Sequence, residues 1–145
     1  MAYEATVTWK EGMHFEGESG GQIVHIDSTV EAGGQGLGAS PMRLVLIALG
    51  GCTAMDVISL LKKMRQDVTH FEITLKSERA PEHPKVYTGF ELVYKVSGHN
   101  LQRDMVERAV SLSEEKYCSV GGMLKMAAPI AYSVEIEEEK GQAPL

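Results

Sequence analysis

The residues best equipped for chemistry in this chain are Cys52 and Cys118, the two cysteines among its 145 residues. A cysteine thiolate is a strong nucleophile, and peroxides oxidise it to a sulfenic acid. The pair stands 66 positions apart. In a chain of this size with no visible export signal, two reduced thiols are expected rather than a structural disulfide. Cys52 shares a helical face with Leu49, Asp56, Ser59 and Lys63, at offsets of −3, +4, +7 and +11. That stripe is partly polar, so Cys52 lies on or beside it and not deep in the apolar one. Cys118 falls at the end of a second helical pattern, before a loop with two glycines. By residue type alone, both thiols read as small buried hydrophobes, the commonest fate of free cysteine.

Other chemistries find less support. Gly33-Gly34-Gln35-Gly36-Leu37-Gly38 precedes a helix, but it has neither the GxGxxG order nor a P-loop Lys-Ser/Thr. It reads as a flexible connection. There is no CxxC, HExxH or His-x-His spacing. His14, His25, His70, His83 and His99 are scattered as surface or turn residues, so neither a metal nor a cofactor is expected. No serine sits in a nucleophile-elbow pattern. A net charge of −6 with no basic cluster argues against nucleic acid and against an anionic membrane surface. Leu44 to Met55, the longest uncharged apolar run, is short for a bilayer and reads as a buried core helix. Met1 to Lys10 lacks the apolar stretch of a signal peptide. With 43% hydrophobic residues, a single domain over 1–145 is expected.

Hydrophobic periodicity places the elements that must carry the thiols. Tyr3, Ala5, Val7 and Trp9 alternate with polar residues, the pattern of a half-buried strand. Met13 to Glu16 and Gln22 to Asp27 follow as strands, separated by glycine turns, which predicts a three-stranded antiparallel meander. Ser40-Pro41 opens a helix expected to reach Arg65 or Gln66. Gly50-Gly51 inside it costs about 1 kcal/mol per residue against Ala, which suggests close approach of a second backbone beside Cys52. Strands are expected around Phe71 to Leu75 and Phe90 to Val96, then a turn at Gly98-His99-Asn100 with Asn100 as a cap. The next helix spans Leu101 to Tyr117, with Gln102, Arg103, Glu107 and Glu114 facing water. Ser119 to Met126 is a loop with one helical turn, Ile130 to Ile136 a last strand, and 137–145 a frayed acidic tail. Strands in blocks around helices indicate an α+β fold with antiparallel pairing.

The stretch from Ser40 to Val57, SPMRLVLIALGGCTAMDV, resembles the central helix of the OsmC/Ohr family of osmotically induced and organic hydroperoxide resistance proteins. Lys116-Tyr117-Cys118-Ser119-Val120 resembles that family's second cysteine segment, and the element order agrees from Tyr3 to Glu137. The Gly-Gly-Cys-Thr-Ala form is most similar to the OsmC-like branch. The resemblance implies antiparallel sheets around a long central helix and an intertwined homodimer with sites at the subunit seam. It implies a cytoplasmic thiol peroxidase for organic hydroperoxides. Cys52 would be the peroxidatic thiolate, Cys118 the resolving thiol, and an external dithiol the reductant. Leu49, Met55 and Met123 would line an apolar substrate pocket.

Better-known members of the family activate the thiolate with an arginine from the first strands, held by a glutamate just after the capping proline. Here Met13 to Asp27 contains no arginine, and Met42 then Arg43 stand at the glutamate position and the next one. Arg43 lies nine residues before Cys52, about 13.5 Å along the helix axis and roughly half a turn out of phase. It could serve Cys52 only from a neighbouring chain; otherwise it is a solvated first-turn residue. Asp56, one turn beyond Cys52, disfavours a thiolate there unless a cation intervenes. Lys10, Lys125 and His14 are the substitutes available. The rivals to an enzyme are a non-catalytic module for a lipid-like or acyl ligand, a redox sensor, and a purely structural thiol pair.

Overall fold

The computed structural model describes residues 2–140. The chain divides into two compact units between Ile47 and Ala48. The first opens with β1 (Thr6–Glu11), β2 (His14–Ser19) and β3 (Gln22–Ile26), paired as the expected antiparallel meander. The half-buried character expected of the first strand is not found. All six residues of β1 are exposed, with Val7 at 60% and Trp9 at 63%.

The glycine-rich loop is pinned, contrary to the expected flexible connection. Asp27 is buried, and its carboxylate accepts N–H bonds from Ser28 at 2.7 Å, Leu37 at 3.1 Å and Gln35 at 3.2 Å. Burial alone would raise this carboxyl. The three backbone donors and nearby His14 outweigh it and hold the group below its ordinary range. A Cβ on Gly38 would come within 2.1 Å of the His25 carbonyl oxygen, so the close approach needs glycine.

Helix α1 spans Pro41–Lys63, starting at the expected proline and stopping just short of the expected end. By length and composition it could cross a membrane, with mean hydropathy 2.1 over its most apolar 18 residues. Within the second unit, Leu49, Thr53, Val57 and Leu61 recur every four residues and are all buried, so one face of the helix is core, whereas only 28% of that apolar window is buried, less than expected of a buried core helix. At Gly50 the nearest neighbour within the chain is a side chain. An added Cβ would meet the Leu75 side chain, 2.7 Å from Cδ1. Nothing lies within 4 Å of the corresponding point on Gly51.

The second sheet contains β4 (Asp67–Arg79), β5 (Tyr87–His99) and β6 (Ile130–Glu138). β5 is the middle strand and buries Phe90, Leu92, Tyr94 and Val96 at every second position. β4 and β5 pair antiparallel, as expected. β6 runs parallel to β5, against the expectation of antiparallel pairing. A parallel return needs a long crossover, and residues 100–129 supply it with α2 (Arg103–Leu112), a π-helical turn over Ser113–Tyr117 and α3 (Ser119–Leu124). The turn expected at Gly98-His99-Asn100 begins later, because Gly98 and His99 belong to β5. Gln102, and not Asn100, occupies the cap position of α2. The acidic tail also begins later, since Glu137 and Glu138 lie in β6; residues 141–145 lie outside the described ones. Among the described residues, two sheets and three α-helices make this an α+β fold.

Candidate functional site

Cys52 is half-buried on the second half of α1, with Asp56 one turn further on. Cys118 is buried at the junction of the π-helical turn and α3. The π turn is closed by the Cys118 N–H donating 2.8 Å to the Ser113 carbonyl oxygen. Such turns recur at functional sites because the extra residue re-aims the side chains that follow. Here the Cys118 thiol is set beside Cys52. The two sulfurs and an Asp56 carboxylate oxygen lie within 4.8 Å of one another. The structure therefore brings together two of the three site residues read from the sequence. The third, Arg43, is exposed in the first turn of α1.

Burial pushes the Cys118 thiol up to about 12, and the neighbouring Cys52 and Glu114 add to the effect. The Gly121 N–H, 3.3 Å from the sulfur, works in the other direction. Cys118 is thus a protonated, enclosed partner to a more accessible thiol. Lys125 donates from Nζ to the Glu114 carbonyl oxygen at 2.9 Å. Lys10 pairs with Glu16 at 3.8 Å, and His14 faces His25 at 3.0 Å.

Behind the thiols runs a polar chain that motif reading missed. Thr53 Oγ1, adjacent to Cys52 in sequence, lies 2.7 Å from both Tyr94 Oη and Ser113 Oγ. Ser113 Oγ is 3.0 Å from Asp56, and Tyr94 Oη is hydrogen-bonded to Glu114. Glu114, expected to face water, is half-buried, with its carboxylate accepting from Tyr94. Burial raises its carboxyl above the ordinary range, although Tyr94 and Lys125 act against the shift. Burial likewise raises the Tyr94 phenol, helped by the Glu114 bond. The one available signal was Tyr94 itself. A tyrosine at an inward-facing strand position needs a partner for its hydroxyl.

Of the expected pocket-lining residues, Leu49 is buried, while Met55 and Met123 are exposed at 74% and 66% in the chain. A groove of about 540 Å³ lies along β4, β5 and Pro129, and neither cysteine lines it. The histidines are less scattered than their positions suggested. His14, Glu16 and His25, on adjacent strands of the first sheet, place imidazole and carboxylate donors within 4.8 Å of one another, a set suited to a divalent cation.

Comparison with known proteins supports one lineage. The family model described as OsmC-like protein matches residues 33–133, which include both cysteines. Protein YhfA of Escherichia coli K12 is 45% identical over 135 residues, covering 92% of this chain and 97% of YhfA. A solved structure of a hypothetical protein from Aquifex aeolicus VF5 superposes with a TM-score of 0.84 at 32% identity, covering 97% of this chain and 99% of that one. An organic hydroperoxide resistance protein OsmC from Legionella pneumophila shares the fold, with a TM-score of 0.65 at 14% identity over 93% of this chain and 97% of its own. With the family match running through both thiol-bearing segments and a 45% identical relative spanning almost the whole chain, this protein belongs to the OsmC/Ohr family of OsmC-like proteins.

Proposed function

We propose that this protein is a cysteine-based peroxidase that reduces organic hydroperoxides in oxidative-stress defence. The supporting observation is the asymmetric thiol pair, a half-buried Cys52 within 4.8 Å of a buried Cys118. Cys52 sulfur attacks the O–O bond of ROOH. An S–O bond forms, the O–O bond breaks, and the thiol proton leaves with the alkoxide as ROH. Cys118 sulfur then attacks the sulfenic sulfur. The S–S bond forms, and hydroxide departs as water with the Cys118 proton. An external dithiol returns both residues to thiols. The full reading takes 1–145 as one functional domain working as a cytoplasmic homodimer, with Arg43 reaching Cys52 from the second chain. The Legionella relative's description as a hydroperoxide resistance protein agrees with this chemistry.

Intact mass after one equivalent of cumene hydroperoxide tests it. The wild-type protein should lose two hydrogens, Cys118→Ser should hold a dimedone-reactive sulfenic acid, and Cys52→Ser should be inert. A Cys52→Ser protein that consumes the peroxide at the wild-type rate overturns the proposal. One observation favours a second reading. Lys10, His14 and Lys125 all have partners other than the thiols. A module lacking an activating cation would bind a lipid-like or acyl ligand, or serve as a slow redox sensor. Alkylation separates the readings, because an enzyme's Cys52 reacts with iodoacetamide near its maximal rate at neutral pH, and a binding module's does not.

A further inference from the structure

Five side chains form one unbroken hydrogen-bonded line: Glu114, Tyr94, Thr53, Ser113 and Asp56, in that order. Its middle is sealed, since Thr53, Tyr94 and Ser113 are all fully buried. Its ends differ. Asp56 lies against Cys52 and Cys118, whereas Glu114 is half-buried at the chain's outer end, beside Lys125.

Four hydrogen bonds require four protons. The hydroxyls of Tyr94, Thr53 and Ser113 carry one each, and an ionised carboxylate carries none. With Tyr94 donating to Glu114 and Ser113 to Asp56, the single Thr53 proton serves only one of its two contacts, and a proton on Glu114 or Asp56 would complete the line. If Glu114 holds it, each group donates toward Asp56. If Asp56 holds it, every bond reverses. We propose that Glu114 and Asp56 share a single proton along this line, which works as a proton wire for the thiol pair. When a thiol ionises, its S–H bond breaks and an O–H bond forms on Asp56. Asp56 hands a proton to Ser113, the three hydroxyls each pass one on toward Glu114, and Glu114 releases one to water. No atom changes oxidation state. Phe71, 6.4 Å away and stacked, and Tyr132, 6.1 Å away and edge-on, hold the Tyr94 ring in line. The charged and titratable groups facing the wire's ends are Cys52 on α1, Cys118 after the π turn, and Lys125 after α3. Burial's upward push on the Glu114 carboxyl agrees with the count.

The use of the wire rests on the thiol chemistry proposed above, but its test does not. Infrared spectra of the wild-type protein at neutral pH should show one protonated-carboxyl carbonyl band that shifts in deuterated water. Thr53→Val removes the central hydroxyl. The two remaining bonds then need only the Tyr94 and Ser113 protons, so the band should vanish although both carboxyls remain. Thr53→Ser should keep it. Ser113→Ala, a smaller perturbation, should also lose it and guards against a misfolded Thr53→Val. The pH midpoint of thiol alkylation should move upward in both, because a full negative charge then stays beside the sulfurs. A wild-type protein without the band, a Thr53→Val protein that retains it, or an unmoved midpoint overturns the proposal. A wild-type protein that shows these signatures but leaves hydroperoxide untouched overturns only the peroxidase reading.

Discussion

At the scale of single residues, enclosure sets what Cys118 can do. Burial pushes its thiol up to about 12 in the fold, against an ordinary value of 9.0. Between those values the unfolded chain loses the proton first, so stability falls as pH rises through that window and is unaffected by this group below it. Urea midpoints at about pH 8 and about pH 11 should therefore differ less in Cys118→Ala than in the wild-type protein. Asp27 has the opposite sign. Its carboxyl is held below the ordinary range, so its contribution is present at neutral pH and is lost as pH falls through the folded value. Asp27→Ala should free the loop over 28–37, read as faster amide exchange at Leu37 and Gln35, whose N–H groups it accepts. Both effects were hidden in the sequence. Asp27 looked like a strand end, and its three donors lie as far as ten positions away.

At the scale of elements, α1 and β5 carry the second unit. Leu61 is fully buried at the end of the four-residue stripe on α1. Leu61→Ala should cost about 2–5 kcal/mol, measurable by urea titration, because a cavity adds to the lost burial. Gly98, near the end of β5, pairs with Val68, and a Cβ there would come within 2.0 Å of the Asp67 carbonyl oxygen. Backbone cannot yield as a side chain tip can. Gly98→Ala should therefore destabilise by about 1–3 kcal/mol and lower the thermal midpoint. By the same geometry Gly50→Ala should be milder, since it meets only the far end of Leu75. The start of α1 and the alternation in β4 and β5 were legible because proline geometry and strand period act over a few residues. The direction of β6 was not, because it depends on how a 30-residue crossover packs.

At the scale of the whole molecule, the chain leaves much apolar surface uncovered, including Val7, Trp9, Ile23, Ile47 and Met55. A contiguous exposed apolar patch is the usual mark of an interface, and the proposed second chain would cover such residues. Sedimentation should give twice the 15.8 kDa of one chain. Trp9 is the single tryptophan and is 63% exposed in the chain. Its emission should shift to the red on dilution if a second chain covers it, and an unchanged spectrum with a monomer mass would rule out the proposed dimer.

The sequence by itself determined the family, the α+β class, the starting point of α1 and the two thiols. These rest on local rules: proline at a helix start, period-two alternation, and residue types read in place. Tertiary structure decided that Cys118 meets Cys52, that β6 runs parallel, that His14, Glu16 and His25 converge, and that Thr53 joins Tyr94 and Ser113. Those last two partners lie 41 and 60 positions from Thr53. Propensity does not act over such separations, and only packing of the buried faces of α1, β5 and the π turn brings the hydroxyls within bonding distance.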